Sequence, residues 1–166
     1  LAARGTRFDA AYCNAPLCAP SRFSFMSGQY VTNIVAYDNA CEFPASIPTF
    51  AHYLKTMGYQ TCLSGKMHFV GPDQLHGFAE RVTTDVYPSD YAWTPDWEHY
   101  EERIDKWYHN MDSVQEAGIA AATFQLDYDD EVAFFAQRKI FDYARNRAEP
   151  FCLVASFIHP HDPYVA

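Results

Sequence analysis

Several absences bound this chain before any residue is read for chemistry. It has no run of about 18 or more apolar residues, so no membrane-spanning helix is expected. Lys and Arg number 12 against 21 Asp and Glu, a net charge of -9, and without a basic excess there is no electrostatic footprint for a nucleic-acid partner. The five cysteines are odd in number and scattered among hydrophobic segments, so reduced thiols are expected rather than a disulfide framework, which points to the cytoplasm. No initiator Met opens the sequence, and neither an internal repeat nor a low-complexity tract is present. The apolar run 151–158 is followed at once by His159-Pro160-His161-Asp162-Pro163-Tyr164, a poor place for a domain to stop. Residues 1–166 are therefore expected to be part of one larger domain, incomplete at both ends.

What is present supports a folded core. With 49% hydrophobic and 17% aromatic residues, the 166-residue chain can bury a sizeable interior, and disorder is not expected. Residues 1–5 read as a last helical turn closed by Gly5, and residues 6–12 as a strand. A helix is expected over residues 21–26, with Pro20 in its first turn, Gly28 as its stop and Cys18 just ahead of its N-terminus. Ser46 can cap a second helix over 47–57 with Phe50, Tyr53, Leu54 and Met57 as its buried stripe, leading into a buried strand over 59–64. Residues 71–118 show no clean period, and their Trp, Tyr and Pro content suggests an ordered excursion. A third helix is expected over 127–146, with Val132, Phe135, Ala136, Ile140 and Tyr143 on one face and the acidic run 127–131 favourably placed in its first turn. Strands alternating with helices, the strands buried, predict an α/β layered fold around a mainly parallel sheet.

Two strings carry the chemistry. Cys18-Ala19-Pro20-Ser21-Arg22 resembles Cys-x-Pro-x-Arg, the signature of type I sulfatases. Gly58-Tyr59-Gln60-Thr61, followed by Gly65-Lys66-Met67-His68, is similar to the second signature of the same family. The segments 12–28, 37–39, 65–77, 87–97 and 159–164 look like choline-sulfatases in particular. One departure is the stretch 29–34, where the family often has Pro near Val31 and Gly near Ile34.

The resemblance implies an alkaline-phosphatase-like α/β fold and hydrolysis of a sulfate monoester, choline O-sulfate to choline and sulfate. It implies that a maturation enzyme oxidises Cys18 to formylglycine. In its hydrated form this residue offers one oxygen to attack sulfur and a second to expel sulfate, which a serine could not do. Physical chemistry agrees with the placement, because the positive end of a helix stabilises both an alkoxide and an approaching anion. Arg22, one turn into the helix, can reach back to the diol.

By the same resemblance, Lys66 binds a sulfate oxygen, His68 takes a proton from the second hydroxyl, and His161 contacts sulfate and assists the leaving oxygen, with His159 in reserve. Trp93 and His109 are assigned to the trimethylammonium group of choline, which aromatic faces can hold by cation–π contact. The family's divalent metal, usually calcium, implies Cys18 as formylglycine among its ligands, with the remaining ligands outside these residues. A cytoplasmic homo-oligomer is implied as well.

Plainer readings stand beside these. A lone cysteine is most often a buried thiol, Lys66 a loop lysine, His68 and His161 structural histidines, and Trp93 packing. Cys13 and Cys18 lack the partners of a zinc site. Alternatives within the superfamily are an arylsulfatase or a phosphonate monoester hydrolase; outside it, an inactive sulfatase-like binding or structural protein.

Overall fold

The computed structural model describes residues 2–91, 94, 98–99, 111–146 and 149–166. Its centre is a three-stranded parallel sheet of order β2-β1-β3, where β1 is Gln60–Gly65, β2 Glu80–Arg81 and β3 Phe151–Ser156. β1 and β3 pair along their whole length, from Gln60 opposite Phe151 to Gly65 opposite Ser156. The segments leaving their C-terminal ends, Lys66–His68 and 157–161, therefore start side by side. Gly65 takes φ 108°, and a Cβ there would run into the Ser156 carbonyl, so only glycine lets the two strand ends approach this closely.

Side chains of β1 alternate between the two faces, and helices cover both. Leu63 joins a core of Ala19, Phe23, Met26, Phe43, Ala51, Met67 and Phe69, which holds down α1 (Cys18–Ser27), α2 (Val31–Ile34) and α3 (Phe50–Thr56). The Phe23 and Phe43 rings stack with centroids 4.6 Å apart. Truncating either to Ala would cost about 3–5 kcal/mol. Ser64 points the other way and donates to the Val132 carbonyl of α5 (Phe124–Arg145), whose Tyr128 and Val132 pack with Ile158. A single turn, α4 (Asp112–Gln115), lies between.

Several elements differ from the sequence reading. Residues 6–12 form no strand; they are exposed and lie outside the sheet. A 3-10 turn, Ala2–Arg4, stands where the end of a helix was expected. Cys18 is the first residue of α1, with Leu17 as N-cap and Gly28, φ 69°, closing the helix. α3 begins at Phe50, because Pro48 biases the residue before it away from helical geometry and Thr49 forms a reciprocal capping box with His52. Of its expected stripe, Tyr53 and Met57 face solvent and Ala51 is buried instead. α5 starts earlier than expected because Thr123 caps it, its Oγ1 accepting from Leu126 N at 3.1 Å. Ile140 is exposed, whereas Tyr128, Val132, Ala136 and Tyr143 make the buried face. At the departure in 29–34, Val35 takes φ 55°, a left-handed conformation costly for a β-branched residue.

Candidate active site

The site forms where the N-terminus of α1 meets the C-terminal ends of β1 and β3. Cys18 is half-buried at the first position of α1. Leu17 offers no side-chain cap, and Asn39 takes over that duty from a distance: its Oδ1 accepts from Ala19 N at 3.0 Å. Lys66 approaches from β1, its Nζ 3.8 Å from the Cys18 sulfur and 4.3 Å from the centroid of the Tyr87 ring. His161 comes from the segment after β3, with Nε2 4.0 Å from the same sulfur and 3.5 Å from the Tyr87 hydroxyl.

Hydrogen bonds fix which nitrogen of each histidine can take a proton. His161 Nδ1 lies 2.8 Å from the Asp162 carbonyl and 2.9 Å from the Asp162 carboxylate, acceptors that require the proton on Nδ1. The lone pair of neutral His161 is therefore on Nε2, facing Cys18. His68 Nε2 donates to the Asn39 carbonyl at 3.1 Å, which leaves Nδ1 as its basic nitrogen. Burial pushes the His68 pKa down to about 4, so this imidazole is neutral near pH 7 and can accept a proton. Burial also lowers the Lys66 pKa, opposed mainly by negative charge at Cys18. The Tyr87 hydroxyl is pushed up to about 12, chiefly by burial, and acts as a neutral group.

Arg22 lies one turn into α1 from Cys18. Its Nη1 donates to the Lys66 carbonyl and to Ser156 Oγ, both at 2.9 Å, tying α1 to the ends of β1 and β3. A cavity of about 570 Å³ opens beside it, lined by Cys18, Ser21, Arg22, Met67 and Ser156 among others. In effect the arrangement presents one sulfur to an ammonium and a basic imidazole nitrogen, with a phenol beside both. Such a set suits a nucleophile that attacks an anionic ester while cations and donors hold its oxygens.

A family model described as Sulfatase matches residues 1–166. The chain belongs to the sulfatase family. It is 58% identical to a choline-sulfatase of Rhizobium meliloti (strain 1021), over all of this chain and 33% of that protein. An uncharacterized sulfatase of Escherichia coli (strain K12), YidJ, is 31% identical over 99% of this chain and 33% of its own length. Among solved structures, a phosphonate monoester hydrolase from Silicibacter pomeroyi superposes with a TM-score of 0.59 at 22% identity, covering 93% of this chain and 34% of that one. The fold is thus the α/β fold of sulfatases and alkaline-phosphatase-like hydrolases. The chain spans about a third of the length of the curated relatives it matches.

Within this sulfatase frame Cys18, Lys66 and His161 converge, and His68 joins them through Tyr87, the two ring centroids being 4.9 Å apart. His159 turns away: its Nδ1 donates to Asp129 at 2.6 Å, so His161 is the histidine that faces the sulfur. Trp93 and His109 lie outside the described residues.

The sequence reading missed Asn39, Asp85 and Ser156, and it counted Tyr87 only among several aromatics. For Asn39 a signal existed in the resemblance of Tyr37-Asp38-Asn39; Asp85 and Ser156 act through contacts distant in sequence, and nothing local marks them. All five cysteines are free thiols. No described helix is long and apolar enough to cross a membrane. Among the described residues no group of three or more His, Cys, Asp and Glu is placed to hold a metal ion.

Proposed function

We propose that the whole protein hydrolyses a sulfate monoester, choline O-sulfate to choline and sulfate, and that residues 1–166 are part of its single catalytic domain. The observation that carries this reading is the convergence of Cys18, Lys66 and His161 within 4.0 Å in a chain 58% identical to a choline-sulfatase. In this reading a maturation enzyme converts Cys18 to formylglycine. Its hydrate supplies one oxygen to attack sulfur and another whose deprotonation expels sulfate.

The residues of this chain have distinct duties. Lys66 places its charge against the sulfuryl oxygens, where negative charge grows during transfer. His161, its Nδ1–H held by Asp162, takes the proton of the attacking hydroxyl on Nε2 and hands it to the departing ester oxygen. His68, neutral and buried, takes a proton from the second hydroxyl on the other side of Tyr87. Arg22 holds the ends of both strands in place beneath them. Trp93 and His109 contact the trimethylammonium group, which has no hydrogen to donate. A divalent cation, calcium in this reading, would be held by position 18 as formylglycine together with ligands outside these residues, and would supply positive charge to the sulfuryl oxygens.

The test is an assay of the whole protein, co-produced with a formylglycine-generating enzyme, on choline O-sulfate, 4-nitrophenyl sulfate and a phosphonate monoester. The expected result is a kcat/KM preference for choline O-sulfate, together with an aldehyde at position 18 by mass spectrometry. A clear aryl sulfate or phosphonate preference would move the substrate to another branch of the superfamily. An unmodified, active Cys18 would remove the formylglycine mechanism.

A further inference from the structure

Lys66 and His68 sit on a turn that the sheet alone cannot hold in place. The turn leaves β1 at Gly65 with φ 108° and passes through His68 with φ 59°, so two of its residues occupy left-handed geometry. Met67 N and His68 N point at one atom, Asp85 Oδ2, which accepts both at 2.9 Å. Asp85 is distant in sequence and its side chain is only 4% exposed.

The same carboxylate is held from behind. Arg81 Nη2 donates to Asp85 Oδ2 at 2.7 Å and to the Gly65 carbonyl at 3.0 Å, while Arg81 Nη1 reaches Gln74 Oε1 at 3.1 Å. Asp85 Oδ1 also lies 3.4 Å from Tyr87 N, next to the ring that carries Lys66 Nζ on one side and His68 on another. One carboxylate therefore gathers the lysine that meets Cys18 and the histidine and tyrosine packed beside it. Bonds to an ionised acceptor are roughly twice as strong as neutral ones, so a carboxylate suits this duty better than an amide or a hydroxyl.

We propose that Asp85 is a positioning residue of the active site: it clasps the Lys66–His68 turn and the start of the Tyr87 segment so that Lys66 meets Cys18 while His68 packs on the Tyr87 ring beside it. Asp85 does not touch the sulfur in this arrangement and acts only through the groups it holds. The kinetic part of the proposal rests on the sulfate-ester reading; the structural part does not.

The experiment uses the whole, matured protein with Asp85→Ala and Asp85→Asn, measuring kcat and KM on choline O-sulfate per folded molecule and amide hydrogen exchange by segment. A displacement of the turn by about 1 Å can cost roughly a hundredfold in rate, so Asp85→Ala is expected to lower kcat by about 30- to 100-fold with KM moved much less. Exchange at Met67 and His68 is expected to rise sharply while α5 stays protected. Asp85→Asn, which keeps an acceptor oxygen but weakens each bond, is expected to fall between, at about a 3- to 10-fold loss.

A kcat within threefold of the unsubstituted protein in Asp85→Ala would overturn the proposal, as would an exchange increase spread evenly over β1 and α5. Should Asp85→Ala fail to fold, Asp85→Asn decides, and unchanged rate and exchange in it would overturn the claim. If the unsubstituted protein hydrolyses none of these esters, the sulfate-ester reading fails. The exchange result at Met67 and His68 then judges Asp85 alone.

Discussion

Lys66→Met separates stability from catalysis. The Lys66 side chain is 1% exposed, with its ammonium against the Cys18 sulfur and the Tyr87 ring. Met matches the stem in length and removes the charge. Removing the charge ends the desolvation that already lowers the Lys66 pKa, and against that gain stands the lost cation–π contact of about 0.5–2 kcal/mol. Folding stability should therefore hold or rise slightly. Rate should move the other way, because removing one preorganised donor to developing negative charge costs about 10²–10³ in kcat, or about 2.7–4 kcal/mol. The assay pairs steady-state kinetics on choline O-sulfate with thermal melts of the whole matured protein. A loss of kcat/KM below about tenfold would rule out this role, since one charge worth that little cannot be the main anion contact. A melting temperature that falls in step with the rate would refute it too, by showing that Lys66 is structural.

Other changes test other parts of the argument. The unfolded chain protonates His68 near pH 6.5 and the folded one at about 4, so between those values the unfolded state binds more protons and stability falls as pH drops. The total is about 3 kcal/mol, of which about 2 kcal/mol is gone by pH 5; His76, also pushed down mainly by burial, adds in the same direction. Urea unfolding at pH 7 and pH 5 measures this drop, and His68→Asn, which tolerates φ 59°, should flatten it; an equal drop in both proteins counts against the assignment. Asp129 accepts from Ile158 N, His159 N and His159 Nδ1, so Asp129→Ala should cost about 2–3 kcal/mol by chemical denaturation and lower kcat through the displaced His161 segment. Unchanged stability would show that those bonds are replaced by water. At Val35, exposed and left-handed, Val35→Gly should raise stability by about 0.5–1 kcal/mol, read as a higher melting temperature; a lower one would mean the side chain packs more than its exposure indicates.

Residue types and their spacing were enough for whatever depends on neighbours along the chain. Cys18 and Arg22 fall one turn apart on a helix, and Lys66 and His68 follow a buried strand, so each pair was legible as a short string of residue types and spacings. The layered α/β class followed from alternating buried strands and helices. Boundaries slipped where capping decided them, as at Thr49 and Thr123, because a cap is chosen among nearby Ser and Thr residues by geometry that composition does not contain. The run 6–12 read as a strand because strand patterning shows the faces of a segment but not whether another strand pairs with it.

How the pairs meet depends on the folded arrangement of the sheet. The parallel register of Gly65 with Ser156 brings Lys66 and His161 to one end of the sheet from positions far apart in the chain. Asn39 completes the α1 N-terminus, Asp129 selects His161 over His159 as the residue facing Cys18, and Asp85 clasps the Lys66–His68 turn. Each of these is a polar side chain satisfying buried N–H groups from another part of the fold. Their importance comes from the cost of leaving those donors unpaired, and that cost exists only once the chain has folded around them.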